Sequence, residues 1–230
     1  MLIGGLQKTT LLDFPGKVSA LIFTVGCNFT CPYCHNGDLV LGRQDPLSNE
    51  AVFDFLAQRK NVLQGVVISG GEPTLHEDLP GFCAKIKSLG YSVKLDTNGS
   101  RPEMLAAVLH SKLVDYVALD IKADPAHYPR EIAPEAVGQD ILRTLEIVQT
   151  SGVVHELRLP CVAPFITADN LPTILGRLSR TKASIFLQEV RLKQVLHPQF
   201  FITQGRALTR EEIEKLAFQG HALGYQCLVR

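Results

Sequence analysis

Apolar and polar positions fall into short blocks that alternate in kind along the chain. Residues 18–25 form a short apolar run, as suits a buried parallel strand, and 66–69, 92–95, 114–119, 154–162 and 184–190 read as further strands, with charged residues interrupting some of them. Longer stretches with helical spacing lie between them. Ser48 or Asn49 is placed to cap a helix running to about Lys60. A helix over 77–89 stops at Gly90, and Pro102 fits the first turn of the next. The stretch 137–149 carries Ile141, Leu142, Leu145 and Val148 on one face. Helices over 168–180 and 210–223 follow, and a short apolar run, 226–229, ends the series. Six strand-then-helix units without a Pro/Gly/Ser-rich linker predict an α/β fold. The expectation is one domain over 1–230, its parallel strands forming a partial (β/α)6 barrel and not a closed eight-stranded one.

Composition narrows the class. With 46% hydrophobic and 20% charged residues the chain is an ordinary folded protein. No apolar run approaches the ~18–20 residues of a membrane span, and residues 1–10 lack the pattern of a secretory signal. Equal numbers of basic and acidic side chains, 23 of each, argue against bulk binding to nucleic acid or anionic lipid. The cytoplasm is the expected compartment. Six cysteines there are not a disulfide framework, so their spacing carries the information.

Three of them form Cys27-x3-Cys31-x2-Cys34, in the loop after the first strand. A thiolate is both a soft metal ligand and a nucleophile, and the spacing leaves four chemistries open. A glutaredoxin-like dithiol at Cys31 and Cys34 leaves Cys27 without a role. Haem attachment at Cys31-x-x-Cys34-His35 needs an exported protein. A zinc ion on Cys27, Cys31, Cys34 and His35 is chemically sound, though adjacent ligands at 34 and 35 strain the geometry. The fourth is a [4Fe–4S] cluster with three irons held and one open. Cys83, Cys161 and Cys227 read as small buried hydrophobes.

In a parallel barrel, function collects at the C-terminal ends of the strands. The second strand leads to Gly70-Gly71-Glu72-Pro73, where two glycines admit a close ligand and Glu72 can accept from an ammonium. The third leads to Asp96-Thr97-Asn98-Gly99, oxygen-rich and suited to ribose hydroxyls or a small cation. The fourth presents Asp120 and Lys122 on one face, the fifth Glu156 and Arg158, and the sixth Gln188, Glu189 and Arg191. Alone, each reads as a turn, a cap or a surface ion pair. Their convergence on one rim points to a site.

These motifs resemble the radical S-adenosylmethionine (SAM) family, whose CxxxCxxC is seen at Cys27, Cys31 and Cys34 with an aromatic Tyr33, and whose GGE motif looks like Gly70-Gly71-Glu72. Within that family the chain is most similar to glycyl-radical-enzyme activases, through Cys34-His35-Asn36, Asp96-Thr97-Asn98-Gly99, Leu119-Asp120-Ile121-Lys122 and Asp13-Phe14-Pro15-Gly16. The opening from Gly5 to Leu39 is most similar to the longer activases of anaerobic ribonucleotide reductase. The likeness is densest over 4–122 and thin beyond Arg158.

The resemblance implies that Cys27, Cys31 and Cys34 bind a [4Fe–4S] cluster whose open iron chelates SAM. Tyr33, Cys34 and His35 would line its adenine side, and Gly70, Gly71 and Glu72 its methionine end. Asp96, Thr97 and Asp120 resemble a monovalent-cation site, Asn98 and Ile121 belong to the same cofactor-binding loops, and Lys122 would contact the cofactor. Activases of the pyruvate formate-lyase type carry a histidine where this chain has Gln188, with Arg191 as another substitute. The stretch between Cys34 and Gly70 holds no cysteine, so no auxiliary cluster is expected. The implied reaction is reductive cleavage of SAM and removal of hydrogen from a glycine of a partner, anaerobic ribonucleotide reductase. Alternatives are another glycyl radical enzyme, such as a pyruvate formate-lyase type, or a small-molecule substrate. Asp13 and Arg158 are candidates for meeting the partner's loop. Residues 176–210 hold Arg177, Arg180, Lys182, Arg191, Lys193, Arg206 and Arg210 against Glu189, either a solvated face or a docking patch for an acidic donor such as flavodoxin.

Overall fold

The computed structural model describes residues 1–133, 137–178 and 183–230. β1 (Ile3–Thr10) turns back into β2 (Ser19–Thr24), and the two pair antiparallel. Strand and helix then alternate. α1 (Gly37–Val40) and α2 (Asn49–Gln58) lead to β3 (Gly65–Gly70), α3 (Leu79–Ser88) to β4 (Ser92–Thr97), α4 (Pro102–His110) to β5 (Tyr116–Asp120), and α5 (Gly138–Thr150) to β6 (Val154–Pro160). The remainder comprises β7 (Val162–Ala163), α6 (Leu171–Arg177), β8 (Ile185–Gln188), α7 (Phe200–Thr203), β9 (Arg206–Ala207), α8 (Arg210–Ala222) and β10 (Cys227–Val229). The main sheet runs β1-β2-β3-β4-β5-β6-β8-β10, and every pairing after the first is parallel. β7 and β9 form a separate antiparallel pair. Strand order follows chain order, so each crossover helix packs on the same side and the sheet curls as a partial barrel.

Period-2 alternation divides each strand between two environments. Ile22, Ile68, Leu95, Leu119, Leu159 and Leu187 join the main core with the helices. On the other face, Leu21 and Val67 pack with Phe14 as a small separate cluster that Tyr116 abuts. Farther along that face come Lys94 and Asp96, then Asp120, then Glu156 and Arg158. The concave interior is therefore a charged column above an apolar plug. At its lower end Glu156, 1% exposed, accepts from the Tyr116 hydroxyl at 2.9 Å and from Arg230 at 3.1 and 3.3 Å.

The six expected strands and the helices between them are present, with two additions at the sheet edges. β1 has no apolar run to announce it: Gly4, Gly5, Gln7 and Lys8 interrupt it, and pairing to β2 makes it a strand. β10 adds a parallel strand beside β8. The helix expected over 168–180 begins at Leu171, and residues 179–182, with Arg180 and Lys182, lie outside the described residues. Asp13 is corrected as a partner contact. It sits in the β1–β2 turn, at the opposite end of β2 from the cysteines, where Thr10 donates to it at 2.5 Å. Among the described residues no helix is long and apolar enough to cross a membrane.

Candidate active site

The C-terminal ends of the strands enclose a cavity of about 300 Å³, lined on one side by Cys27, Cys31 and Cys34. The cysteine loop is held there by backbone contacts. Gly26 takes a left-handed conformation (φ +89°), and its carbonyl accepts from the Glu72 amide at 2.8 Å. Gly71 passes so close that a Cβ would lie 1.8 Å from that carbonyl oxygen. The glycine pair thus serves first to let two loops touch. From the other side, Leu196 N–H donates to the Cys34 carbonyl at 2.9 Å and His197 N–H to that of Pro32 at 3.1 Å.

Burial, with Glu72 nearby, pushes the Cys27 thiol up to about 12, and burial pushes Cys31 up to about 11 against the pull of Lys122. A metal must displace these protons to bind. Among the described residues, no three His, Cys, Asp or Glu side chains gather as a single ion requires. The His35 ring is turned instead to the Arg191 carbonyl, 2.6 Å away. This disfavours the four-ligand zinc site. A cubane spreads its ligands over separate irons, so three thiols facing one cavity fit it. Beside them the Tyr33 hydroxyl is buried, and among the described residues only the Cys31 thiol is a hydrogen-bonding neighbour, as expected where a further group belongs.

Glu72 borders the cavity, but its carboxylate is already engaged by neighbouring donors. Its Oε1 accepts from Thr74 N–H at 3.0 Å and from the Thr74 and Thr97 hydroxyls at 2.5 and 2.7 Å, while Oε2 accepts from Asn98 N–H at 2.7 Å. Burial raises its carboxyl above the usual range, and these donors oppose the rise. Four donors leave little capacity for an ammonium; Glu72 ties the β3 end to the β4 end. Asn98 extends the tie, with Nδ2 3.1 Å from Asn28 Oδ1 and 3.8 Å from Cys27 Sγ. Glu72→Ala strands the buried Asn98 N–H, with an expected loss of about 2 kcal/mol. Thermal unfolding should show a Tm lower by about 4–8 °C, while Glu72→Gln should lose less.

Across the cavity, ion pairs run through Lys94, Asp96, Arg158, Asp120 and Lys122. Burial alone would raise the Asp120 carboxyl, but Arg158 and Lys122 hold it down to about 2, and Lys122 is raised in turn. Three cations against two carboxylates leave one positive charge over, and Lys122 lines the cavity. A carboxyl lowered by folding stabilises fully above its unfolded value and loses that stability as pH falls through the folded one. The Asp120 contribution, about 2 kcal/mol, should fade between about pH 4 and pH 2. Unfolding of wild type and Asp120→Asn across that range checks it, since the variant lacks this component.

Tyr33, His35, Gly70, Gly71, Glu72, Asp96, Thr97, Asn98, Asp120, Lys122 and Gln188 all border the cavity with the cysteines. Ile121 does not, and is corrected. Alternation at the strand end sends Asp120 and Lys122 inward and Ile121, fully buried, into the helix-facing core. The basic stretch is also less free than its composition implies: Arg177 pairs with Asp124 at 2.6 Å, Arg206 with Glu212 at 2.7 Å and Arg210 with Glu214 at 2.9 Å. Arg191 and Lys193 remain exposed beside the cysteine loop. Cys83, Cys161 and Cys227 are free, buried thiols. Sequence reasoning missed Asn28, Lys94 and Ser100, and named Asn36 only as part of Cys34-His35-Asn36, without a role. Asn36 donates to the Gly70 carbonyl at 3.2 Å and Asn28 to Ser100 Oγ at 2.8 Å. Lys94 was legible as a charge inside a strand; Asn28 and Ser100 had no local signal.

Comparison with known proteins agrees with this geometry. The profile of the radical SAM superfamily matches residues 21–175. A Methanocaldococcus jannaschii protein provisionally named a glycyl-radical enzyme activating enzyme is 34% identical over 181 residues, covering 75% of this chain and 73% of that protein. A Sulfolobus acidocaldarius protein named as a probable GTP 3′,8-cyclase is 32% identical over 186 residues, covering 77% of this chain and 55% of that protein. Among solved structures, Streptococcus suis SuiB bound to S-adenosylmethionine superimposes with a TM-score of 0.66 at 14% identity, over 91% of this chain and 49% of SuiB. The family implies SAM and a [4Fe–4S] cluster, which the donor set fits. By profile, by relatives and by fold, the chain belongs to the radical S-adenosylmethionine superfamily.

Proposed function

We propose that this enzyme is the activase of a glycyl radical enzyme, with anaerobic ribonucleotide reductase as first candidate partner and a pyruvate formate-lyase type as the alternative. The observation that carries the reading is the cavity's size. About 300 Å³ is the low end for small-molecule sites. A cluster and one SAM would take up all of such a volume, which supports a hydrogen donor that reaches the open mouth from outside, as a projecting segment of another molecule. A glycine-bearing loop is such a segment. The jannaschii relative, similar over three quarters of both chains, supports it. The cyclase-like relative favours a small-molecule substrate, which would need room beside the cofactor.

Cys27, Cys31 and Cys34 would each hold one iron, leaving the fourth for the amine and carboxylate of SAM. When bound, the cluster and SAM supply the one-electron cleavage that makes hydrogen abstraction possible. The chain's own residues do the placing. Lys122 presents a positive charge to the cofactor carboxylate, Glu72 fixes the loop of Gly70 and Gly71, and Tyr33, His35 and Gln188 bound the opposite wall. Such chemistry suits an anaerobic cytoplasm, with residues 1–230 acting as one domain.

The electron donor in this reading is a flavodoxin-like acidic protein, met by Arg191 and Lys193 on the segment that clasps the cysteine loop. Charge reversal at both should slow donor-driven reduction about tenfold at low salt and leave dithionite reduction unchanged. Equal slowing of both would remove the donor site from this face.

The test of the activase reading is anaerobic incubation with SAM, reductant and the candidate reductase, followed by electron paramagnetic resonance. A glycyl radical doublet in the partner is expected. SAM cleavage without a doublet in any glycyl radical enzyme would favour the small-molecule reading.

A further inference from the structure

Arg158 rises from β6, where the register sets it beside Asp120 of β5. Its Nε lies 2.6 Å from Asp120 Oδ1, and its Nη1 3.1 Å from Asp96 Oδ2 on β4. The outer oxygens are also taken: Lys94 Nζ is 2.5 Å from Asp96 Oδ1, and Lys122 Nζ is 3.0 Å from Asp120 Oδ2. All four carboxylate oxygens therefore meet a cationic donor. Thr97, the third residue of the expected monovalent-cation site, has its hydroxyl engaged as well. It donates to Glu72 at 2.7 Å and accepts from Gly99 N–H at 3.1 Å.

These residues do not fit a free cation. An oxygen-coordinated ion would have to displace the guanidinium and would then sit among the remaining cations. We infer that Arg158 is a tethered counter-cation: it bridges Asp96 and Asp120 in place of a free monovalent ion, and thereby sets the ends of β4 and β5 that line the SAM cavity. Only a planar fork spans two carboxylates from different strands in this way, and a guanidinium stays charged throughout the working pH range. The bridge is largely shielded, with Arg158 13%, Asp96 11% and Asp120 22% exposed. Removing it leaves both lysines on the outer oxygens and a gap one positive charge wide between the carboxylates. A small cation can fill that gap. Arg158 is in this role a positioning residue, acting through Asp96 and Asp120.

The inference rests on membership of the SAM-binding family and is independent of the partner's identity. It is tested by the affinity of the cluster-loaded protein for SAM, and by the Tm of the same protein without SAM, in KCl and in choline chloride at equal ionic strength. Wild type should give the same values in both salts. Arg158→Gln should bind SAM about 10-fold more weakly in choline, and KCl or guanidinium should restore most of the loss. Arg158→Lys should fall between the two. A wild-type protein whose SAM affinity or Tm rises in KCl holds a free cation, and the inference fails. It fails also if Arg158→Gln keeps wild-type affinity in choline, or if no small cation restores what it loses. Should Arg158→Gln not fold, Arg158→Lys and the wild-type comparison decide on the same criteria.

Discussion

Cys31→Ala should abolish the reaction while leaving the fold intact. Cys31 is the middle thiol of the triplet and 6% exposed, in the wall of the cavity. Losing it leaves two thiols, too few for a three-ligand cubane, so iron content and the absorbance near 400 nm should fall to background. SAM cleavage should drop at least about a thousandfold, since cluster and SAM act as one unit and removing a member removes the whole. Far-ultraviolet circular dichroism should match wild type, because Cys31 lies in a loop outside every strand and helix. Cys83→Ala is the control. Its thiol is buried in α3 among apolar side chains, and the substitution should lower stability while keeping iron and SAM cleavage. A Cys31→Ala protein that retained a full cluster would displace this residue from the ligand set.

Gly71→Ala should act almost as strongly without touching a ligand. The added methyl would lie 1.8 Å from the Gly26 carbonyl oxygen and 2.6 Å from its carbon, and both are backbone atoms with no rotamer to escape into. The β2 and β3 loops must part, taking with them the Glu72 N–H to Gly26 carbonyl bond and the neighbouring cysteines. The expected cost is more than about 3 kcal/mol, above most overpacking substitutions, with cluster occupancy falling below half of wild type. Iron analysis and thermal unfolding measure the two effects separately. Gly81→Ala supplies the contrast: nothing lies within 4 Å of its would-be Cβ, and its effect should be small.

Much of the fold was legible because burial on both faces writes itself as nearly continuous apolar runs, as at 18–25 and 66–68. Polar strand ends were legible for the complementary reason, since charges at 96, 120 and 122 have no place in an apolar core. What escaped depends on contacts between distant segments. Glu72 reads as an ammonium acceptor until the β3 and β4 ends are seen side by side, where Thr97 and Asn98 donate to its carboxylate. Arg158 and Asp120 were each visible, but their pairing depends on the β5–β6 register, and Asp96 is reached only across a curved sheet. Asp13 was misplaced because β1, an interrupted edge strand, went unread and the hairpin reverses the chain. The basic stretch lost its apparent excess to Asp124, Glu212 and Glu214, two of them on α8.

The central claim is that the hydrogen removed comes from a glycine of a partner protein. The most direct measurement is the mass of the 5′-deoxyadenosine formed anaerobically with reductant, SAM and a partner reductase labelled at its glycine α-carbons with deuterium. The account predicts 5′-deoxyadenosine carrying deuterium, in amounts that track the glycyl radical. Unlabelled 5′-deoxyadenosine, formed equally well without the partner, would contradict it.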